Sequence, residues 1–133
     1  MIDHALSSLG AQVVLATSCD EKHPPENIID GNIETFWIST GMFPQEFIIR
    51  FAESMKISLV TLHSYNVKTL KIEKSISDDA TDFEPISEKQ LEHIEGHLQT
   101  TDIPLNGLTV THLRFIVTSG FDHFVSVHRI SIE

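Results

Sequence analysis

An all-β sandwich is the fold class this sequence predicts, on three observations. Apolar residues come in many short runs, hardly any long segment carries helical spacing, and each run is bounded by turn residues. The runs that read as strands are residues 12–17, 45–51, 57–64, 69–75, 112–118 and 124–133. Each is rich in Val, Ile, Leu, Phe or Thr, the side chains that fit a half-buried pleated surface. In the second run Phe47, Ile49 and Phe51 fall two apart and line one face, which turns Arg50 outward; in the fifth, Leu113, Phe115 and Val117 do the same and turn Arg114 outward. The last run keeps Val125 and Val127 in phase and then shifts to Ile130 and Ile132, a one-residue slip that marks a β-bulge near His128 and Arg129.

Residues 87–98 admit two readings. Ser87 and Gln90 match a helix capping box, with Leu91, Ile94 and Leu98 following at helical spacing. Against this, Gly96 weakens a helix interior by about 1 kcal/mol, and residues 99–104 look extended, so two further strands joined by a turn are favoured over a helix. Residues 77–82 form a polar loop between strands, and no internal repeat or low-complexity tract appears.

The 133 residues are expected to form one domain, 1–133, with apolar content of 41%, enough for a sizeable core. Nine Lys and Arg against 19 Asp and Glu give a net charge of −10, a surface that repels phosphate backbones and anionic lipid, so neither nucleic acid nor membrane is an expected partner. One cysteine, Cys19, and the lack of a basic n-region followed by an apolar h-region favour a reducing, cytoplasmic compartment over secretion.

The loop at residues 26–37 crowds Asn27, Asp30, Asn32, Glu34 and Thr35 between apolar anchors. Hard cations such as calcium take six to eight oxygen ligands, and Asp30 is the natural charged ligand of such a site. An EF-hand does not fit: its sixth position would be Thr35 in place of Gly, and its twelfth Gly41 in place of Glu. A plain turn with Asp30 hydrogen-bonded to backbone explains the same spacing. Trp37, which follows, reads as a core anchor. The eight histidines show no HxH or HExxH spacing, and His93 and His97 share a face only if residues 87–98 are helical. Asp122 and His123 could be half of a catalytic triad, but no serine sits in a G-x-S-x-G elbow. No Gly-rich phosphate loop is present.

Two loops carry apolar residues where turns are normally polar: residues 40–44, with Thr40, Met42 and Phe43, and residues 119–124, with Phe121, His123 and Phe124. Either loop alone could tuck its aromatics inward; their joint occurrence favours a partner-docking surface.

Residues 15–37 and 40–48, with 69–75, Glu95 and Gly96, 113–116, 121–124 and 126–128, resemble the intraflagellar transport protein 25 family, also called heat shock protein beta-11. The resemblance covers nearly the whole chain. It implies a discoidin-like, galactose-binding-like jelly-roll sandwich with no enzymatic activity. It further implies a subunit of intraflagellar transport complex B, in the cilium and cytoplasm, that pairs with a Rab-like small GTPase subunit alongside other complex B subunits. The same resemblance implies a structural calcium ion where the Asn–Asp–Thr loop meets the C-terminal strand. Its ligands would be the Asp30 side chain, oxygens of Asn27, Asn32 and Thr35, the Ile132 carbonyl and the Glu133 carboxylate. Related discoidin-like domains bind glycans or lipids through aromatic loop residues, so a glycan-binding module is the alternative reading, although a shared fold does not establish a shared ligand.

Overall fold

A computed structural model describes residues 9–133 apart from 19, 41, 80 and 95. His4, Cys19, Gly41 and Glu95, considered above, therefore lie outside the described residues. The strands are β1 (Gln12–Ala16), β2 (Trp37–Ile38), β3 (Gln45–Tyr65), β4 (Val67–Ser75), β5 (Glu84–Gln90), β6 (Gln99–Gly120) and β7 (Ser126–Ile132), with one 3-10 turn, Pro25–Ile29, before β2. All pairings are antiparallel.

One hydrogen-bonded ladder folds over into two layers. Residues 45–50 of β3 pair with β1 on one side and with residues 112–117 of β6 on the other, and β4 and β5 continue that layer. Residues 59–64 of β3 pair with residues 99–104 of β6 and with β7, whose far edge carries β2. The two long strands change layers at irregularities in their register. Arg50 pairs with His112 but Met55 with Val110, so four residues of β3 stand opposite one of β6. At the next corner Ile57 pairs with Leu108 and Leu59 with Pro104, and Asn106 and Gly107 take φ of 55° and 80° to turn the chain. Strands that switch layers through bulges are how a sheet makes a corner.

The core lies between the layers. Phe47 and Phe115 are cross-strand partners whose rings stack at 5.0 Å, and Trp37 of the other layer meets Phe47 edge-on at 5.5 Å. Trp37 is fully buried, and its Nε1 donates to the Ser18 carbonyl at 2.7 Å, the single acceptor an indole needs. The expected inward faces hold: Phe47, Ile49, Phe51, Leu113, Phe115 and Val117 are all buried. Arg114 faces outward and ties three strands together, with Nε 2.8 Å from Glu46 Oε2 of β3 and Nη1 3.1 Å from Glu73 Oε1 of β4. The expected bulge is also there: Arg129 pairs with His63 and Val127 with Ser64, which leaves His128 as the extra residue.

One expectation is revised, one holds, and one element went unseen. The runs 45–51 and 57–64 are one strand, as are 99–104 and 112–118, because polar residues at the corners interrupt the hydrophobic alternation without breaking the ladder. The capping-box stretch is strand, with Ile72 paired to Ser87 and Thr69 to Gln90, so the extended reading of residues 87–90 holds and Leu91–Leu98 carries no helix among the described residues. The two-residue β2 escaped periodicity altogether, being too short to show any.

Two histidines sit in the ladder with lowered pKa. Burial pushes His112 below 6.5, with the neighbouring Arg50 cation adding to it; burial likewise lowers His63, with Arg129 contributing. An unfolded chain then binds protons more readily than the folded one below 6.5, so stability is full above that pH and falls as the solution is acidified through the folded-state values. Urea midpoints measured from pH 7.5 to 5.5 should fall with pH, and His112→Gln should flatten that slope; a slope unchanged in the variant would contradict the assignment.

Candidate docking cleft and oxygen-rich loop

Pairing of β2 with β7 decides where the apolar loops go. Ile38 faces Ser126 at the end of that short ladder, so the chain leaving β2 and the chain entering β7 are neighbours. Ser39 extends the contact: its N–H donates to the Val125 carbonyl and its Oγ accepts from Val125 N–H, both at 3.0 Å. The two loops singled out in the sequence thus form the walls of one cleft of about 1000 Å³, and Thr40, Met42, Phe43, Phe121, His123 and Phe124 all line it.

The six residues divide by exposure. Met42 is 89% exposed, Phe121 40% and Phe124 36%, whereas Phe43 is half-buried against the core. Phe43 is thus tucked partly inward, and Met42, Phe121 and Phe124 stand open to solvent. The first loop is held from beneath by Gln45, itself buried: its Nε2 donates to the Met42 carbonyl at 2.6 Å and its Oε1 accepts from Ser18 Oγ at 2.6 Å. Ser18 Oγ in turn accepts from Thr40 N–H at 3.0 Å. In the second loop Phe121 N–H donates to the Asn66 carbonyl at 2.8 Å, and the Phe121 ring lies 5.2 Å from His93 and 5.9 Å from Lys68 Nζ. Asp122 Oδ1 accepts from His123 N–H at 2.7 Å.

Sequence reasoning missed Gly120, which makes the cleft floor. A Cβ there would stand 2.8 Å from Phe43 Cζ, 2.9 Å from the Asn66 carbonyl oxygen and 3.0 Å from Val125 Cγ1. Its place directly before Phe121 was the available signal. A second concavity of about 420 Å³ shares Phe124 and adds Phe36, Tyr65, His97, Leu98 and His128. Two of its lining rings, Phe36 and His128, lie 4.8 Å apart, and His23 stacks on Phe36 at 4.1 Å.

In the oxygen-rich loop, Asp30 closes the 3-10 turn and Gly31, at φ 78°, reverses the chain. The Asp30 carboxylate accepts from Asn32 N–H at 2.9 Å through Oδ1 and from the Thr35 hydroxyl through Oδ2. Thr35 Oγ also lies 3.0 Å from the Asn32 carbonyl, and Asn32 Oδ1 accepts from Glu34 N–H at 2.9 Å. Asn27 Nδ2 donates to the Phe36 carbonyl at 3.1 Å. Asp30, Asn32 and Thr35 are thus drawn together, with Asn27 fastened to the same loop. Ile132 is buried at the end of β7 opposite Val60, and the Glu133 backbone is bonded to Ser58 and Leu59. The donor set, the Asp30 and Glu133 carboxylates with amide, hydroxyl and carbonyl oxygens, suits a hard cation in type. The hydrogen bonds made are those of the plain turn.

Comparison with known proteins places this geometry in a family. The F5/8 type C domain model matches residues 14–130. A human protein named intraflagellar transport protein 25 homolog is 59% identical over 132 residues, covering 99% of this chain and 92% of the human one. The chain belongs to the intraflagellar transport protein 25 family. The Chlamydomonas reinhardtii intraflagellar transport protein 25 is 39% identical, covering 99% of this chain and 69% of its own. Among solved structures, chitosan-binding module 2 from a Paenibacillus sp. IK-5 chitosanase/glucanase, in complex with chitotriose, superposes with a TM-score of 0.82 at 19% identity, over 98% of each chain. That likeness shows the jelly-roll sandwich shared by this family and carbohydrate-binding modules, and only that.

Because Gly120 has no room for a side chain, Gly120→Ala should displace the Phe43 ring and lower stability by about 1–3 kcal/mol. A denaturation midpoint equal to that of the parent chain would show that the cleft floor yields freely.

Proposed function

We propose that this chain is a non-enzymatic subunit of intraflagellar transport complex B, working in the cilium and cytoplasm, which docks a Rab-like small GTPase subunit at the Met42–Phe121 cleft and meets other complex B subunits through its remaining surface. The names of its relatives support the transport role. One observation carries the docking site: loops 75 or more residues apart in sequence are brought together so that Met42, Phe121 and Phe124 stand exposed on one cleft. Exposed Met and Phe grouped over a hydrogen-bonded base are the anchors an interface uses. Among the described residues no helix is long and apolar enough to cross a membrane.

The same proposal includes a structural calcium ion held by Asp30 with oxygens of Asn27, Asn32, Thr35, Ile132 and Glu133. Its support is local. β2 runs antiparallel to β7, so the chain before β2 passes back along the C-terminal half of β7, and His128 Nδ1 lies 3.0 Å from the Ile33 carbonyl at that crossing. When bound, the ion would neutralise the loop carboxylate and clamp it to the last strand, adding stability by mass action.

A glycan-binding module is the second reading. The aromatic-rimmed concavity at Phe36, Tyr65 and Phe124, with His97 and His128 beside them, favours it. Binding on a sugar array, without a stable complex with the GTPase, would select it over the adaptor.

Coexpression with the GTPase subunit should give a one-to-one complex from which Met42→Ala and Phe121→Ala each remove at least tenfold in affinity. Undiminished copurification of both variants would refute the placement. Calcium at a hundredfold excess over its Kd should stabilise the chain by about 2.7 kcal/mol against a chelator control. Asp30→Ala should abolish that increment, and a melting temperature indifferent to calcium in the parent chain would remove the ion from the proposal.

A further inference from the structure

Resting on the docking reading, the geometry points to the kind of polypeptide the cleft takes: a segment that inserts an apolar side chain among Met42, Phe43 and Phe121 and sets a lysine or arginine beside it against Asp122. The chemistry of the walls carries this. Among the described lining residues Asp122 is the one formal charge; the others are Ser, Thr, Gly, Met, Phe and a single His. Asp122 is exposed, and its Oδ1 accepts from the His123 N–H at 2.7 Å, which leaves Oδ2 for an incoming donor. Lys68 Nζ lies 5.9 Å from the centre of the Phe121 ring and is not among the residues lining the cleft. An incoming cation therefore meets a carboxylate among aromatic rings, an arrangement that favours Arg or Lys both by charge and by attraction to the ring faces. An incoming carboxylate would meet like charge at close range and a chain of net charge −10 behind it.

The test uses the full chain and the Rab-like GTPase subunit, with Kd measured at about 50 mM and about 300 mM salt. Asp122→Asn keeps an oxygen for the His123 N–H and removes only the charge, so it should fold as the parent chain does. It should bind about tenfold more weakly at low salt, with the gap narrowing at high salt, and Asp122→Lys should be weaker still. If both Asp122 variants bind within twofold of the parent, or Asp122→Lys binds more tightly, while Met42→Ala loses binding, the basic-segment proposal fails and the docking cleft stands. If Met42→Ala and Phe121→Ala also bind as the parent does, the cleft itself is lost as the docking site, and this proposal with it.

Discussion

The pairing of β3 with β6 is the constraint on which the rest depends. These two strands are partners in both layers, so one antiparallel ladder, shifted at two corners and running from Gln45 opposite Val117 to Ser64 opposite Gln99, fixes the position of every other strand. Almost all of this pairing joins residues distant in sequence, which makes it slow to find and hard to undo piecemeal. Its outer face is locked by Arg114 between Glu46 and Glu73, a fork that reads three strands at once. Its inner face is locked by the stacked rings of Phe47 and Phe115.

The cleft inherits its position from that register. β7 pairs with residues 60–65 of β3, β2 pairs with β7, and the loops that follow and precede these strands have nowhere to go but beside each other. No local signal in either loop encodes the meeting. What each loop does encode is its failure to be polar, and two such failures at one end of a sandwich make a surface.

Much of the layer structure could be read directly from the chain, and the reasons are physical. Alternation at Phe47, Ile49 and Phe51 is visible because these three pack into the core while Arg50 stands exposed, and the phase slip before Ile130 is visible because a bulge must change which residues face inward. The corners were hidden for the opposite reason. Around residues 51–57 and 105–111 the strands turn between layers, side chains no longer alternate between dry and wet, and a continuous strand looks like two. Ser87 and Gln90 looked like a helix start because a capping box is a four-residue pattern, and pairing with β4 outweighs it. The apolar residues lining the cleft were legible from their type; Gly120, which has no side chain beneath Phe43, left only its place before Phe121 as a signal. Of the oxygens proposed for a cation, those of Asn27, Asp30, Asn32 and Thr35 are local enough to appear in sequence spacing, and those of Ile132 and Glu133 are not.

Gln45 gives the cleft a kinetic character. A buried amide that holds the Met42 carbonyl on one side and Ser18 on the other leaves the exposed thioether mounted on a backbone that has already given up its freedom. On the proposed docking, little ordering would remain to be done on contact, so a partner would meet a finished surface, collision would set the speed of arrival, and differences between partners would lie in how long they stay.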